Sequence, residues 1–414
     1  MRTFVLGICI LFALQAMAQR ECAGSIYLEQ QTAIDPSLPV KINAVENFIK
    51  QQSFAKMEGG EANVIRIPVV VHVLYRTDAQ NISDLQIKSQ LDVLNNDFRR
   101  RNADSNKTPE RFRQLAADVQ IEFVLATADP DGRATTGIIR KKTNVTDWKT
   151  DDKIKFSAQG GDDAWDSRQY LNIWIGNLGQ ILGYSSVPGG APEKDGIAIN
   201  TSAFGTINVS APYHLGRTAV HEMGHWLGLR HIWGDTYCGD DLVDDTPKQG
   251  NFTSGCPSSF RSSCNNGTTT GDMYMNYMDY TADACVNLFT EGQKQRMLAL
   301  FNNGGPRHSF LNSNGLKTPW NLTIPEPVVE APVVNEQFKI YPNPSASSVM
   351  LNFEFDETWI GKTLSVVNLN GIEISRVLIS SKTQKLDVSS FKPGMYFIQG
   401  VNGNKKIRKK LVKL

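Results

Sequence analysis

Within eleven residues, His221-Glu222-Met223-Gly224-His225-Trp226-Leu227-Gly228-Leu229-Arg230-His231, the chain places three of its six histidines. A helix turns once every 3.6 residues, so His221 and His225 fall on one face and can grip a single ion. Glu222 lies beside them, within reach of a water on that ion. Gly228 ends such a helix and permits the sharp turn that returns His231 as a third ligand. Three neutral imidazoles leave a fourth tetrahedral position open, which is the mark of a catalytic rather than a structural zinc site. Zinc acidifies its water and polarises a carbonyl, and a neighbouring carboxylate such as Glu222 can move the proton. Any fold adopted here must therefore bring a helix end and the turn after it to one point. A zinc site that binds without hydrolysing is the rival, and the intact Glu222 weighs against it. The other histidines, His72, His214 and His308, read as structural or solvent-facing.

The 414 residues leave room for more than one domain, and a formal net charge of +1 gives no electrostatic case for nucleic acid or an anionic membrane. At the amino terminus, Arg2, the apolar run Phe4 to Leu14 and the small residues of Ala16-Met17-Ala18 form a secretory signal over residues 1–18. A buried helix is the alternative there. No transmembrane segment is expected, because no other run is long enough to span a bilayer. Five cysteines remain after Cys9 leaves with the signal: Cys22, Cys238, Cys256, Cys264 and Cys285. The last four cluster behind the histidine block and suggest two disulfides in an oxidising compartment, with three pairings open on spacing alone. Cys22 is left over.

Residues 19–60 are polar and helix-tolerant, with no core of their own, and read as a pro-segment. Val64 to Tyr75 is a strand rich in β-branched residues, Ser83 to Arg101 repeats its apolar positions at helical spacing, and Val119–Leu125, Tyr170–Gly176 and Asp195–Thr201 read as further strands. This order predicts an α/β (α+β) catalytic domain over residues 61–316: a twisted mixed sheet, the histidine helix, and a loop-rich half carrying the disulfides. Pro325, Pro327 and Pro332 mark a linker over residues 317–336. Residues 337–414 alternate short apolar runs with turns such as Tyr341-Pro-Asn-Pro344 and Lys392-Pro-Gly394, the pattern of a small all-β sandwich.

The histidine block resembles the long zinc signature of metzincins, and Asn276-Tyr-Met-Asp-Tyr280 resembles the Met-turn of the pappalysin family within that clan. The likeness spans about residues 64 to 305. It implies a zinc-dependent endopeptidase with Met278 beneath the metal and Tyr280 hydrogen-bonding the tetrahedral intermediate; unaided, Met273, Met275 and Met278 read only as core. The family's pattern implies disulfides Cys238–Cys264 and Cys256–Cys285. It also implies calcium in the acidic segment Asp240 to Pro247, with Asp241, Asp244 and Thr246 as ligands; a solvated acidic loop is the competing reading. A thiolate is a good zinc ligand, so Cys22 can fill the open position and hold a zymogen latent, as pappalysin-like pro-segments do. An unpaired or intermolecularly bridged thiol is the competing reading. The strand before the zinc helix, Asp195 to Thr201, is expected as an exposed edge that pairs with extended peptide. Some relatives select a basic residue with an acid just before the last cysteine; here that position is Ala284, with Asp283 one step earlier.

Phe338 to Leu414 resembles the C-terminal sorting domain of type IX secretion in Bacteroidota, through Lys339-Ile-Tyr-Pro-Asn-Pro344, Leu369-Asn-Gly371, Leu386-Asp-Val-Ser, Pro393-Gly-Met-Tyr-Phe397 and a basic end. An adhesive sandwich is the rival. The reading is a secreted or surface-attached zinc endopeptidase made as a zymogen, with protein or peptide substrates and the type IX machinery as partners. The alternative is a surface adhesin whose zinc site is not catalytic.

Overall fold

A computed structural model describes residues 22–53, 64–267, 269–321, 338–353, 356–369, 372–403 and 405–414. The expected signal (1–18) and most of the linker lie outside them. The chain divides into two compact units, residues 1–322 and 323–414.

In the first unit, helices α1 (Gly24–Ile34) and α2 (Leu38–Ser53) precede strand β1 (Ile65–Tyr75), helices α3 (Asp84–Phe98) and α4 (Glu110–Arg113), and strands β2 (Ile121–Leu125), β3 (Ile138–Lys142), β4 (Leu171–Gly176), β5 (Gly183–Ser185) and β6 (Gly196–Asn200). Helices α5 (Arg217–Trp226) and α6 (Glu291–Ala299) complete it. The sheet order is β2-β1-β4-β6-β5, with β3 also pairing β1. All pairings are parallel except β5 with β6. β1 is apolar in a continuous run rather than in alternation because it is central in a parallel sheet whose two faces are both covered. One face packs against α3 and α5, where Val69, Val71, Ile173, Ile199, Leu94, Phe98, Met223 and Trp226 are buried together. Each such side chain contributes about 1.5–3 kcal/mol by leaving water. Ser83 starts α3 by accepting the Gln86 amide at 3.1 Å. On the other face Trp174, Tyr184, Trp148 and Leu74 form a smaller cluster that also takes Tyr27 of α1.

One expectation fails here. The strand read as Asp195–Thr201 is not an edge, because β6 lies between β4 and β5 and is buried throughout. The edge is β5, three residues that carry too little β-branched signal to stand out in sequence. Asp195 is instead a packing anchor, ion-paired with Arg307 and accepting from Trp226 Nε1 at 3.2 Å and Ser186 Oγ at 2.8 Å.

Between α5 and α6 the chain is loop, held by disulfides Cys238–Cys264 and Cys256–Cys285. With sequence separations of 26 and 29, each stabilises the fold by about 3 kcal/mol in the chain-entropy picture.

The second unit contains β7 (Lys339–Tyr341), β8 (Ser348–Asn352), β9 (Thr363–Asn368), β10 (Glu373–Leu378), β11 (Thr383–Asp387), β12 (Gly394–Asn402) and β13 (Lys405–Lys413). Two antiparallel sheets, β10-β9-β12-β13 and β11-β8-β7, enclose Val349, Leu351, Trp359, Leu364, Val366, Ile398 and Leu411. This is the expected sandwich.

Candidate metal centre

α5 is buried along its whole length. Its amino end is fixed by Asp283, whose carboxylate accepts the Leu215 amide at 3.0 Å and the Arg217 amide at 3.2 Å. Arg217, one turn before His221, pairs with Asp97 at 2.7 Å and Asp104 at 3.1 Å. At the other end Gly228 adopts φ +79°, a left-handed conformation that a side chain would resist. The chain reverses there, and His231 comes back to face the helix.

Each histidine is held by its outer nitrogen. His221 Nδ1 contacts the Tyr277 carbonyl at 2.7 Å, His225 Nδ1 the Leu229 carbonyl at 2.9 Å, and His231 Nδ1 the Asp235 carboxylate. These acceptors require the proton on Nδ1, so all three Nε2 lone pairs point inward. Burial, and then His231 beside it, pushes the His225 imidazolium down to about 3, so it is neutral at neutral pH. Nε2 of His225 lies 3.2 Å from that of His221 and 3.1 Å from that of His231. Three lone pairs this close repel without a cation, and zinc–nitrogen bonds of about 2.0–2.1 Å in a tetrahedron give edges of about this length. The donor set fits zinc.

The fourth corner faces Cys22. Its Sγ and the three imidazoles all lie within 4.8 Å of one another, the one such group of three or more among the described residues. Cys22 forms a parallel bridge with Gly183 on the β5 edge, and the Ala23 amide donates to the Gly183 carbonyl at 3.1 Å. Burial first, and then the Glu222 carboxylate, hold the thiol well above its usual range. A bound cation reverses that, because a coordinating thiol is deprotonated outright.

Glu222 is fully buried. A Cβ on Gly183 would come within 3.0 Å of its Cγ, so only a bare backbone can pass this close to the carboxylate. Tyr280 donates its hydroxyl to the Cys22 carbonyl at 3.2 Å, and its ring lies 4.9 Å from that of His231. Burial keeps the phenol protonated. Met278 lies under the helix: a Cβ at Gly224 would meet its Sδ at 2.4 Å. The turn that presents it is closed by Asn276, which accepts the Met278 amide at 2.9 Å and donates to Gln293 at 2.8 Å.

The other candidates are placed less tightly. Asp241 is buried and accepts the Thr246 hydroxyl at 2.8 and 2.9 Å, whereas Asp244 is exposed. Ala284 is exposed, and Asp283 is committed to the helix end. Sequence reasoning missed Asp235, Gly183 and Trp233, whose ring stacks on His231 at 4.4 Å. Only the spacing of Asp235, four residues past the last histidine, could have flagged it.

A three-histidine centre at the end of a buried helix, with a glutamate next to the first ligand, defines a metallopeptidase. Residues 155–302 match the peptidase family described as pregnancy-associated plasma protein-A, and residues 339–414 match the secretion system C-terminal sorting domain. An extracellular metalloprotease of Arthroderma benhamiae is 31% identical over 297 residues, 66% of this chain and 92% of that protein. Among solved structures, a Tannerella forsythia promirolysin variant is 46% identical with TM-score 0.66, covering 71% of this chain and 97% of that one. Mature mirolysin of the same organism, in complex with a cleaved peptide, is 50% identical with TM-score 0.59, covering 60% of this chain and 96% of that one. The chain belongs to this pappalysin family of metallopeptidases. It is a secreted zinc metalloendopeptidase with a type IX sorting domain.

Proposed function

We propose that His221, His225 and His231 hold the catalytic zinc, that Glu222 is the general base and Tyr280 the oxyanion donor, and that residues 19–60 keep the enzyme latent through Cys22. The observation that carries this reading is the convergence of the three Nε2 atoms and Cys22 Sγ within 4.8 Å. When bound, zinc supplies Lewis acidity for both the attacking water and the scissile carbonyl. Glu222 takes the proton of that water and delivers it to the leaving nitrogen. Tyr280 now serves the backbone carbonyl of Cys22, the same type of group that a substrate presents. Once that carbonyl departs, the neutral hydroxyl can donate to the oxygen on which charge develops.

Substrate binds as an added strand on β5, the edge that Cys22 occupies in the latent chain. Ala284 brings no charge to this region, so a preference for basic residues does not follow from that position. Latency is supported by α1 and α2, which cover the site, and by the larger share of this chain matched by promirolysin (71%) than by mature mirolysin (60%). Asp241 and Thr246, with the exposed Asp244, supply the oxygen ligands of a calcium site in the loop-rich half. Burial pushes the Asp241 carboxyl up to about 7, a penalty that a divalent cation removes. Residues 1–18 direct export to the periplasm, and residues 337–414, joined through the 317–336 linker, serve as the type IX address.

The test is direct. Zinc-loaded enzyme freed of residues 19–60 cleaves gelatin, stops with a zinc chelator, and loses about 10²–10⁴-fold of its rate on Glu222→Gln. Cys22→Ala in the uncut chain releases hydrolysis that the unaltered chain lacks. If the metal-loaded, pro-segment-free protein cleaves nothing, the reading as a surface-binding protein holds instead.

A further inference from the structure

Tyr27 of α1 is buried against the face of the sheet opposite α5, among Trp174 and Tyr184. Its ring lies 4.7 Å from that of Tyr184 at an interplanar angle of 38°. Its hydroxyl donates to Asp152 Oδ2 at 3.1 Å and accepts from Lys155 Nζ at 3.2 Å. Lys155 is fully buried, 3.0 Å from Asp152 Oδ1, donating to the Lys194 carbonyl at 2.8 Å and lying 5.0–5.4 Å from the rings of Tyr27, Tyr184 and Trp174. Lys194 Nζ lies 3.3 Å from the same Asp152 Oδ2. Asp152 sits at φ +61°, in the left-handed region that aspartate tolerates better than most residues.

Aromatic walls, a cation over the ring, and a donor and an acceptor at the phenolic oxygen together distinguish tyrosine from phenylalanine. A site built to hydrogen-bond a hydroxyl rejects the analogue without one, because its own buried groups are left unpaired. We propose that Asp152, Lys155, Trp174 and Tyr184 form a phenol-binding socket. It reads Tyr27 in the latent chain and, once the pro-segment has gone, accepts a tyrosine side chain of another peptide. The second half rests on the reading of residues 19–60 as a removable pro-segment. The first half does not. The socket is separate from the metal centre, so the pro-segment is held at two chemically different points, a thiol and a phenol.

The test uses the full chain with Glu222→Gln to prevent self-cleavage, alone and combined with Tyr27→Phe or Tyr27→Ala. The readout is hydrogen exchange of the amides of residues 24–34 and 150–156. Tyr27→Phe is expected to speed exchange in both segments about tenfold or more, the consequence of unpairing a buried donor and acceptor. In the Tyr27→Ala chain, N-acetyl-L-tyrosinamide restores protection at residues 150–156 and N-acetyl-L-phenylalaninamide does not. Exchange unchanged by Tyr27→Phe, or equal protection by the two amides, overturns the socket. The pro-segment reading fails on a different result: an uncut chain with Glu222 and Tyr27 intact that already hydrolyses peptides.

Discussion

His231 lies three residues past the helix-ending glycine, and its aim comes from Asp235, which accepts its Nδ1 proton. A carboxylate in that position fixes the tautomer and strengthens the ligand. Asp235→Ala should therefore weaken zinc affinity about 10–100-fold, measured by competition with a metal indicator, while leaving the disulfides and fold intact. A second residue-scale consequence concerns Asp279, next to Tyr280. It is fully buried and accepts from Gln249 Nε2 and the Thr253 and Tyr280 amides, each at 2.6 Å. Burial nonetheless raises its carboxyl to about 7. A raised folded-state value means that the folded protein holds the proton more tightly than the unfolded chain, whose value is about 4. The stability this gives is complete below about pH 4 and is lost as pH rises through 7, on the order of a few kcal/mol. Unfolding midpoints from pH 4 to 8 should then fall more steeply for the unaltered protein than for Asp279→Asn; parallel curves would remove this assignment. The grouping of His221, Glu222, His225 and His231 was legible in sequence because spacing alone brings these side chains together. Asp235, Gly183 and Asp279 were not, since their roles depend on where loops fold back.

At the scale of elements, α3 could be read from its helical spacing, β1 and β4 from their apolar runs, and α5 from the spacing of its histidines. β5 could not: it is three residues long and earns its place only as the outer partner of β6. The same limit applies to α1 and α2. They bury few residues, and of these Tyr27 and Ile49 join apolar clusters centred on the sheet. At the contact between α5 and the Met-turn, Met278 Sδ lies where a Gly224 side chain would begin. Gly224→Ala should force helix and turn apart, lowering stability by about 1–3 kcal/mol and reducing kcat together with zinc retention. A variant with unchanged melting temperature and activity would show that this contact gives way without consequence.

For the molecule as a whole, the two units have separate cores, one around the parallel sheet and one around Trp359 in the sandwich. Truncation after residue 322 should then leave kcat/KM of the processed enzyme within about twofold while abolishing export, as expected of an independent domain serving as an address. Loss of peptidase activity on truncation would contradict that division. The sandwich was legible from the regular spacing of its turns, and the catalytic class from one helix and its return. What the sequence left open was how a cysteine some two hundred residues before the histidines meets them, because that depends on β5 offering its edge. The most direct measurement is X-ray absorption at the zinc edge on the uncut chain and on the processed enzyme. The uncut chain should show three nitrogen neighbours at about 2.0–2.1 Å and one sulfur at about 2.3 Å, with the sulfur replaced by a lighter atom after processing. A zinc shell with no sulfur in the uncut chain, or one unchanged by processing, would contradict the account.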